Sequence, residues 1–214
     1  MSTSRLIVVE GPIGVGKTTL ARRLAQTFGC EPMLERAAEN PFLEKFYRDP
    51  NTSALPVQLY FLLQRARQLQ KWRQDDLFQR VRIADFLLDK DRLFARLTLD
   101  DDEYRLYETV YQSLAIDAPR PDLVVSLQAP LPVLLERINR RGIDYEQQIN
   151  ASYLQRVVDA YTQFFYYFDA APLLVVNTAE INLVDNEQDY QLLLEHIMRI
   201  KSGRHYFNPI PAGF

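Results

Sequence analysis

Five short apolar runs punctuate the chain, and each gives way to a segment whose apolar residues return at helical spacing. The first reads RLIVVE from Arg5; the others cover Pro32 to Glu35, Val81 to Ala84, Leu123 to Leu127 and Leu173 to Val176. Continuous rather than alternating apolar runs of this length predict strands buried on both faces. The run at Pro32 is the shortest in character, with Met33 and Leu34 where the others carry β-branched residues. Helical spacing marks Lys17 to Phe28, Pro41 to Tyr47, Pro56 to Trp72, Phe86 to Ala95, Asp101 to Ile116, Leu131 to Arg140, Ala151 to Phe168 and Asn186 to Ile200. This alternation predicts an α/β fold with a mostly parallel sheet and right-handed crossovers, its functional groups gathered at the carboxyl ends of the strands.

With 214 residues, 47% of them hydrophobic, the chain can bury one sizeable core, so residues 1–214 are expected to form a single domain. A formal charge of −3, from 25 basic and 28 acidic residues, gives no electrostatic grip on a nucleic acid polymer or an anionic membrane. Cys30 stands alone, so no intrachain disulfide forms, and the first strand follows the N-terminus without a signal-peptide pattern; a cytoplasmic location is expected. No apolar run approaches the roughly 20 residues that a membrane helix needs. The proline-containing tail, about residues 202–214, is expected to be irregular. The acidic run Asp100, Asp101, Asp102 and Glu103 is better read as the start of a helix than as a metal cluster, because the helix dipole favours negative charge there.

Between the first strand and first helix lies GPIGVGKTT: Gly11, Pro12, Ile13, Gly14, Val15, Gly16, Lys17, Thr18 and Thr19. This is a full P-loop match. The glycines let backbone N–H groups turn inward around phosphate oxygens, Lys17 adds a mobile positive charge, and the Thr18 hydroxyl can ligate Mg²⁺. The helix that begins at Lys17 points its positive end at the same phosphates. A nucleoside triphosphate with Mg²⁺ is the expected ligand of this turn.

The acceptor must be sought at the other strand ends. Glu35, closing the second run, could face the terminal phosphate and take a proton from an attacking hydroxyl. It could equally be a solvated glutamate among Glu31 and Glu39, and spacing leaves both readings open. The surrounding residues, ERAAENPFLEKFY from Glu35 to Tyr47 and LPVQLYF from Leu55 to Phe61, resemble the deoxynucleoside kinase family, especially its bacterial deoxyadenosine and deoxyguanosine kinases. The likeness runs from the P-loop to about Thr178. It implies a P-loop kinase fold with a five-stranded parallel sheet, an arginine-bearing lid at about residues 137–149, a homodimer, and transfer of the γ-phosphoryl group of ATP to the 5′-hydroxyl of a deoxynucleoside in salvage. It also makes a purine the preferred base, deoxyadenosine first.

Carried over by position, Glu35 resembles the general base, and Tyr47 and Glu146 the pair that binds the sugar 3′-hydroxyl. Gln58 resembles the amide that reads the base, and Arg65 the arginine that supports it; one helix starting at Pro56 places both on one face. LLERINRRG, Leu134 to Gly142, is similar to the lid, with Arg137 and Arg141 one turn apart and able to face one anion. Basic residues before Gly142 also suit a helix C-terminus, and the two readings are compatible.

Two positions depart from the family pattern. An acidic-Arg-Ser motif usually follows the third strand, but here the run is IADFLLDKDR, Ile83 to Arg92. Asp85 keeps the carboxylate and is a candidate for Mg²⁺ or its water shell, and for the substrate site; the arginine is missing, with Lys90 or Arg92 as candidate replacements. Ile143 stands where many relatives carry another lid arginine, with Arg140 as a candidate substitute. Two rival functions stay open, a nucleoside monophosphate kinase of the thymidylate kinase type and a nucleotide-dependent regulatory protein. His196 and His205 lack metal-type spacing and read as surface or packing residues. The aromatic stretch Tyr161 to Phe168 and Trp72 read as core or subunit contacts.

Overall fold

The computed structural model describes residues 5–74, 80–181, 183 and 186–208. Five parallel strands form one sheet in the order β2-β1-β3-β4-β5, with β1 at Arg5–Glu10, β2 at Val81–Ala84, β3 at Leu123–Gln128, β4 at Leu173–Asn177 and β5 at Arg204–Phe207. Among the described residues eight α-helices connect them: α1 Lys17–Phe28, α2 Leu43–Arg48, α3 Ala54–Gln74, α4 Lys90–Thr98, α5 Asp101–Ser113, α6 Leu131–Arg141, α7 Ala151–Tyr167 and α8 Glu187–Arg199. Strand β1 is paired on both edges, Val8 opposite Ala84 and Val9 opposite Val125, and helices cover both faces. That double burial explains why RLIVVE is apolar without alternation.

The strand count matches the expectation, but its membership does not. Pro32 to Glu35 forms no strand. Met33 makes a single parallel bridge to Ala84 at the free edge of β2, its N–H donating to the Ile83 carbonyl at 2.8 Å while its own carbonyl accepts from Asp85 at 3.1 Å. Pro32 has no N–H to extend the ladder, and the Glu35 N–H goes instead to the Asp85 side chain at 2.6 Å. The fifth strand comes from the tail expected to be irregular. Arg204–Phe207 pairs with β4 as an edge strand, and only Phe207 on it is buried, so it shows no apolar run. Residues 209–214 of that tail lie outside the described residues.

Local chemistry sets the helix boundaries. Asp100 and Glu103 form a reciprocal capping box at the start of α5, the Glu103 N–H donating to Asp100 Oδ1 at 2.9 Å, so the acidic run is a helix start. Helix α4 begins at Lys90, not Phe86, and the Leu87 N–H before it donates to Glu10 Oε1 at 2.7 Å. Phe86, Leu87 and Leu88 are buried as a turn that folds back over the end of β1. The expected aromatic stretch divides: Tyr161 and Phe165 are core, whereas Tyr166 and Tyr167 are 70% and 73% exposed. No helix among the described residues is long and apolar enough to cross a membrane.

Candidate active site

The turn after β1 is built around two glycines that no other residue could replace without displacing a neighbouring element. Gly11 has φ +148°, and a Cβ there would meet the Leu127 carbonyl oxygen of β3 at 2.4 Å. Gly14 has φ +83°, and its Cβ would lie 2.9 Å from the Leu134 carbonyl oxygen of α6. The loop is thus pressed between the sheet and the lid helix. No side chain caps the N-terminus of α1, and its first turn holds no acidic residue, so its free N–H groups and dipole face an anion site. Lys17 Nζ donates to the Pro12 carbonyl at 3.1 Å across this turn. Burial pushes the Lys17 amine below its usual pKa, with the like charge of Lys90 adding to the effect.

At the end of β2, Asp85 is 1% exposed and joins two candidate groups: Oδ2 accepts the Thr18 hydroxyl at 2.6 Å and Oδ1 accepts the Glu35 N–H at 2.6 Å. Burial raises its carboxyl pKa, against the lowering effect of these two hydrogen bonds. Thr18 and Asp85 form a set of hard oxygen donors beside the phosphate turn, which fits Mg²⁺. They do not make an all-protein cage, as suits an ion that keeps phosphate and water ligands.

Glu35 itself lies between two buried cations. Arg65 pairs with Glu35 Oε1 through one guanidinium nitrogen and with Asp91 through the other, and Lys90 Nζ is 3.1 Å from Glu35 Oε2 and 3.3 Å from Glu10 Oε1. Burial would raise the Glu35 carboxyl pKa, but the charges of Arg65, Lys90 and Lys17 override it and hold the group at about 2. Of the two candidate cations near Asp85, Lys90 enters the site; Arg92 turns outward to Glu108 at 2.9 Å.

Tyr47, Gln58, Arg65, Arg141 and Glu146 line the same cavity as Lys17, Thr18, Glu35 and Asp85. Gln58 is 5% exposed, and among the described residues its amide has no protein hydrogen-bond partner. A buried amide facing a cavity in that state is available to a ligand. Tyr47 stacks on Tyr145 at 6.3 Å, and burial raises its pKa well above the usual phenol value, with Tyr153 and Glu146 adding to the shift. Glu146 sits on the turn Asp144–Gln148, which packs against α2, and pairs with Arg141.

Arg137, Arg140 and Arg141 reach a second cavity that opens on Gly14, Gly16, Lys17 and Thr18. Arg137 and Arg141 hold different protein acceptors rather than one shared anion. Arg137 donates to Thr178 Oγ1 at 3.0 Å and to the Thr178 carbonyl at 2.5 Å, while Arg141 goes to Glu146. Helix α6 ends at Arg141 with Gly142 in the left-handed region, so the basic residues also complete a helix C-terminus. Ile143 carries no charge into the cavity, whereas Arg140 is exposed at its edge.

Two charged residues of the cluster, Glu10 and Asp91, were not singled out from the sequence. Glu10 is 0% exposed: Oε2 accepts from the Gly11 N–H and the Tyr161 hydroxyl, each at 3.0 Å. Asp91 is 2% exposed, with Oδ2 unpaired, and Lys90 is 2% exposed. The signal for Glu10 was present in the sequence: a carboxylate closing an otherwise apolar, doubly buried strand requires a partner.

This fold and this cleft define a P-loop phosphotransferase. The family model "Deoxynucleoside kinase" matches residues 7–201, and the chain belongs to the deoxynucleoside kinase family, enzymes that transfer a phosphoryl group to a deoxynucleoside. It is 34% identical over 206 residues to the deoxyguanosine kinase of Bacillus subtilis, covering 94% of this chain and 99% of that one. It is 32% identical over 195 residues to the deoxyadenosine kinase of Dictyostelium discoideum, covering 87% and 77% of the two chains. Among solved structures, deoxyadenosine kinase from M. mycoides with bound dATP superposes with a TM-score of 0.77 at 25% identity, over 90% of this chain and 99% of that one. Family membership sets aside the monophosphate-kinase and regulatory readings.

Proposed function

We propose that this enzyme moves the γ-phosphoryl group of ATP to the 5′-hydroxyl of a purine deoxynucleoside, with deoxyadenosine as the first acceptor. The observation that carries the proposal is one cleft in which Glu35 lies beside Lys17 and the Thr18–Asp85 pair and also faces Tyr47, Gln58 and Glu146. The purine preference draws on the deoxyguanosine and deoxyadenosine kinases among the relatives.

In this mechanism the P-loop N–H groups and Lys17 hold the β- and γ-phosphates. Thr18 and Asp85 would hold Mg²⁺, which when bound neutralises charge on the phosphate oxygens. Tyr47 and Glu146 bind the 3′-hydroxyl, and Gln58 reads the base with Arg65 behind it. Glu35 accepts the 5′-hydroxyl as a hydrogen bond and takes its proton. A carboxyl held at about 2 is a weak base, so its main work is orientation, with the proton leaving late; a loose phosphoryl-transfer transition state permits this. Arg137 and Arg141 exchange Thr178 and Glu146 for the transferring group and stabilise its charge. One domain carries the whole cycle in the cytoplasm, and the exposed pair Tyr166 and Tyr167 at the end of α7 supports a homodimer contact, which light scattering would detect.

The test is a panel of deoxynucleosides, ribonucleosides and thymidine monophosphate, each assayed with Mg·ATP and followed by product analysis. The expected products are 5′-monophosphates of deoxyadenosine and deoxyguanosine. Activity on thymidine monophosphate alone, or ATP hydrolysis indifferent to nucleosides, would overturn the proposal.

A further inference from the structure

We propose that Lys90 is a positioning residue that fixes the Glu35 carboxylate relative to the phosphate cradle, acting from the opposite side to Arg65. The proposal rests on the reading of Glu35 as the group that receives the 5′-hydroxyl. Lys90 is the first residue of α4, and its side chain is 3% exposed. A cation so enclosed needs polar partners in place of water, and both of its partners are carboxylates.

Those partners make Lys90 a link between two parts of the site. Glu10 is held by four donors: the Gly11 N–H, the Tyr161 hydroxyl, the Leu87 N–H and Lys90. Gly11 opens the P-loop, so a chain of contacts runs from the phosphate turn through Glu10 and Lys90 to Glu35 Oε2. A second tether reaches the backbone of the same residue, from the Thr18 hydroxyl through Asp85 to the Glu35 N–H. Both tethers start at the P-loop, which registers the acceptor carboxylate against the phosphates. Reacting groups tolerate little error in that register, because a displacement of about 1 Å can cost about 10²-fold in rate.

Arg65 cannot supply this register alone. It is bound to Asp91 as well as Glu35, and it lies on the face of α3 that carries Gln58, toward the base end of the cavity. Phe86, adjacent to Asp85, is buried among apolar side chains and brings no charge. Among the described residues, the charged or titratable groups around Glu35 are Glu10 from β1, Lys17 from α1, Tyr47 from α2, Arg65 from α3, Asp85 after β2, Lys90 and Asp91 from α4, Arg141 from α6, Glu146 from the turn after it, and Tyr161 from α7. Among the cations of the described residues, Lys90 is the one that contacts both Glu35 and Glu10, at the foot of the phosphate turn.

The test measures kcat and KM for Lys90→Met and Lys90→Arg, each alone and combined with Glu35→Gln, with melting curves for every variant. If Lys90 works through Glu35, Lys90→Met lowers kcat by about 10²-fold with KM for Mg·ATP little changed, and Lys90→Arg restores most of the loss. In the Glu35→Gln background the same substitution then costs nothing further. Lys90→Gln carries the comparison if the methionine variant melts early. A kcat within about twofold of wild type, or the full loss repeated in the Glu35→Gln background, would overturn the assignment. Normal turnover by Glu35→Gln alone would instead remove the reading on which the proposal stands.

Discussion

Replacing Glu35 by Gln removes a carboxylate that the fold holds ionised between two cations, and its effect on stability follows from the geometry. The side chains of Arg65 and Lys90 are 5% and 3% exposed, so neither can turn to solvent when their shared partner is lost. The drop of the Glu35 carboxyl from 4.5 to about 2 corresponds to about 3 kcal/mol at 1.36 kcal/mol per pKa unit. That agrees with the usual cost, about 3–5 kcal/mol, of breaking a buried ion pair by removing one partner. In a chain of this size the expected fall in Tm is about 6–12 °C. The sign of the pH dependence is fixed as well. A carboxyl whose folded pKa lies below its unfolded one contributes fully above the unfolded value and loses that contribution as pH falls through the folded value. The gap between wild type and Glu35→Gln should therefore be about 3 kcal/mol at pH 7, about 1.4 kcal/mol at pH 3, and closed only below about pH 1. Denaturant titrations at pH 7 and pH 3 measure it directly. Equal stability at pH 7, or a gap that does not change with pH, would refute the electrostatic account of the cluster.

Other expected outcomes bear on neighbouring parts of the cleft. Gly14→Ala places a Cβ 2.9 Å from the Leu134 carbonyl oxygen and 2.9 Å from Ile138 Cγ1, so the phosphate turn must separate from α6; equilibrium binding of ATP should weaken at least tenfold, roughly the factor for 1.4 kcal/mol of strain. Glu146→Gln removes the partner of Arg141 and one side of the expected 3′-hydroxyl site. Its kcat/KM for a deoxynucleoside should fall by about 10-fold to 10²-fold, with a much smaller fall for the 3′-deoxy analogue, and equal losses for both compounds would move Glu146 out of the sugar site.

The sequence made the phosphate end of the site legible because a P-loop is local: its glycines, lysine and threonine act within nine residues of one another, and spacing alone carries the chemistry. The α/β alternation was legible for a similar reason, since β1, β3 and β4 are apolar runs buried almost throughout and β2 is a shorter run with its last two residues buried. β5 was not, because an edge strand reading RHYF buries only Phe207 and leaves no periodic apolar trace. Pro32 to Glu35 read as a strand because it does lie against the sheet, yet one proline and one captured N–H limit it to a single bridge. The charge cluster was the least legible part. Glu10, Glu35, Arg65, Lys90 and Asp91 come from four separate segments, and nothing in local spacing states that Lys90 faces inward while Arg92 faces Glu108. Gln58 shows the converse: as one residue on a helix it reads as an ordinary solvated amide, and its burial in the wall of the cavity that holds Glu35 marks it as available to a ligand.

The account turns on whether the carboxylate beside the P-loop receives the acceptor's hydroxyl. Turnover of deoxyadenosine and deoxyguanosine by Glu35→Gln, measured beside equilibrium binding of Mg·ATP to the same preparation, addresses that most directly. The account predicts a loss of kcat of about 10²-fold or more with ATP affinity nearly unchanged. Turnover close to wild type in a variant that binds ATP normally would contradict it.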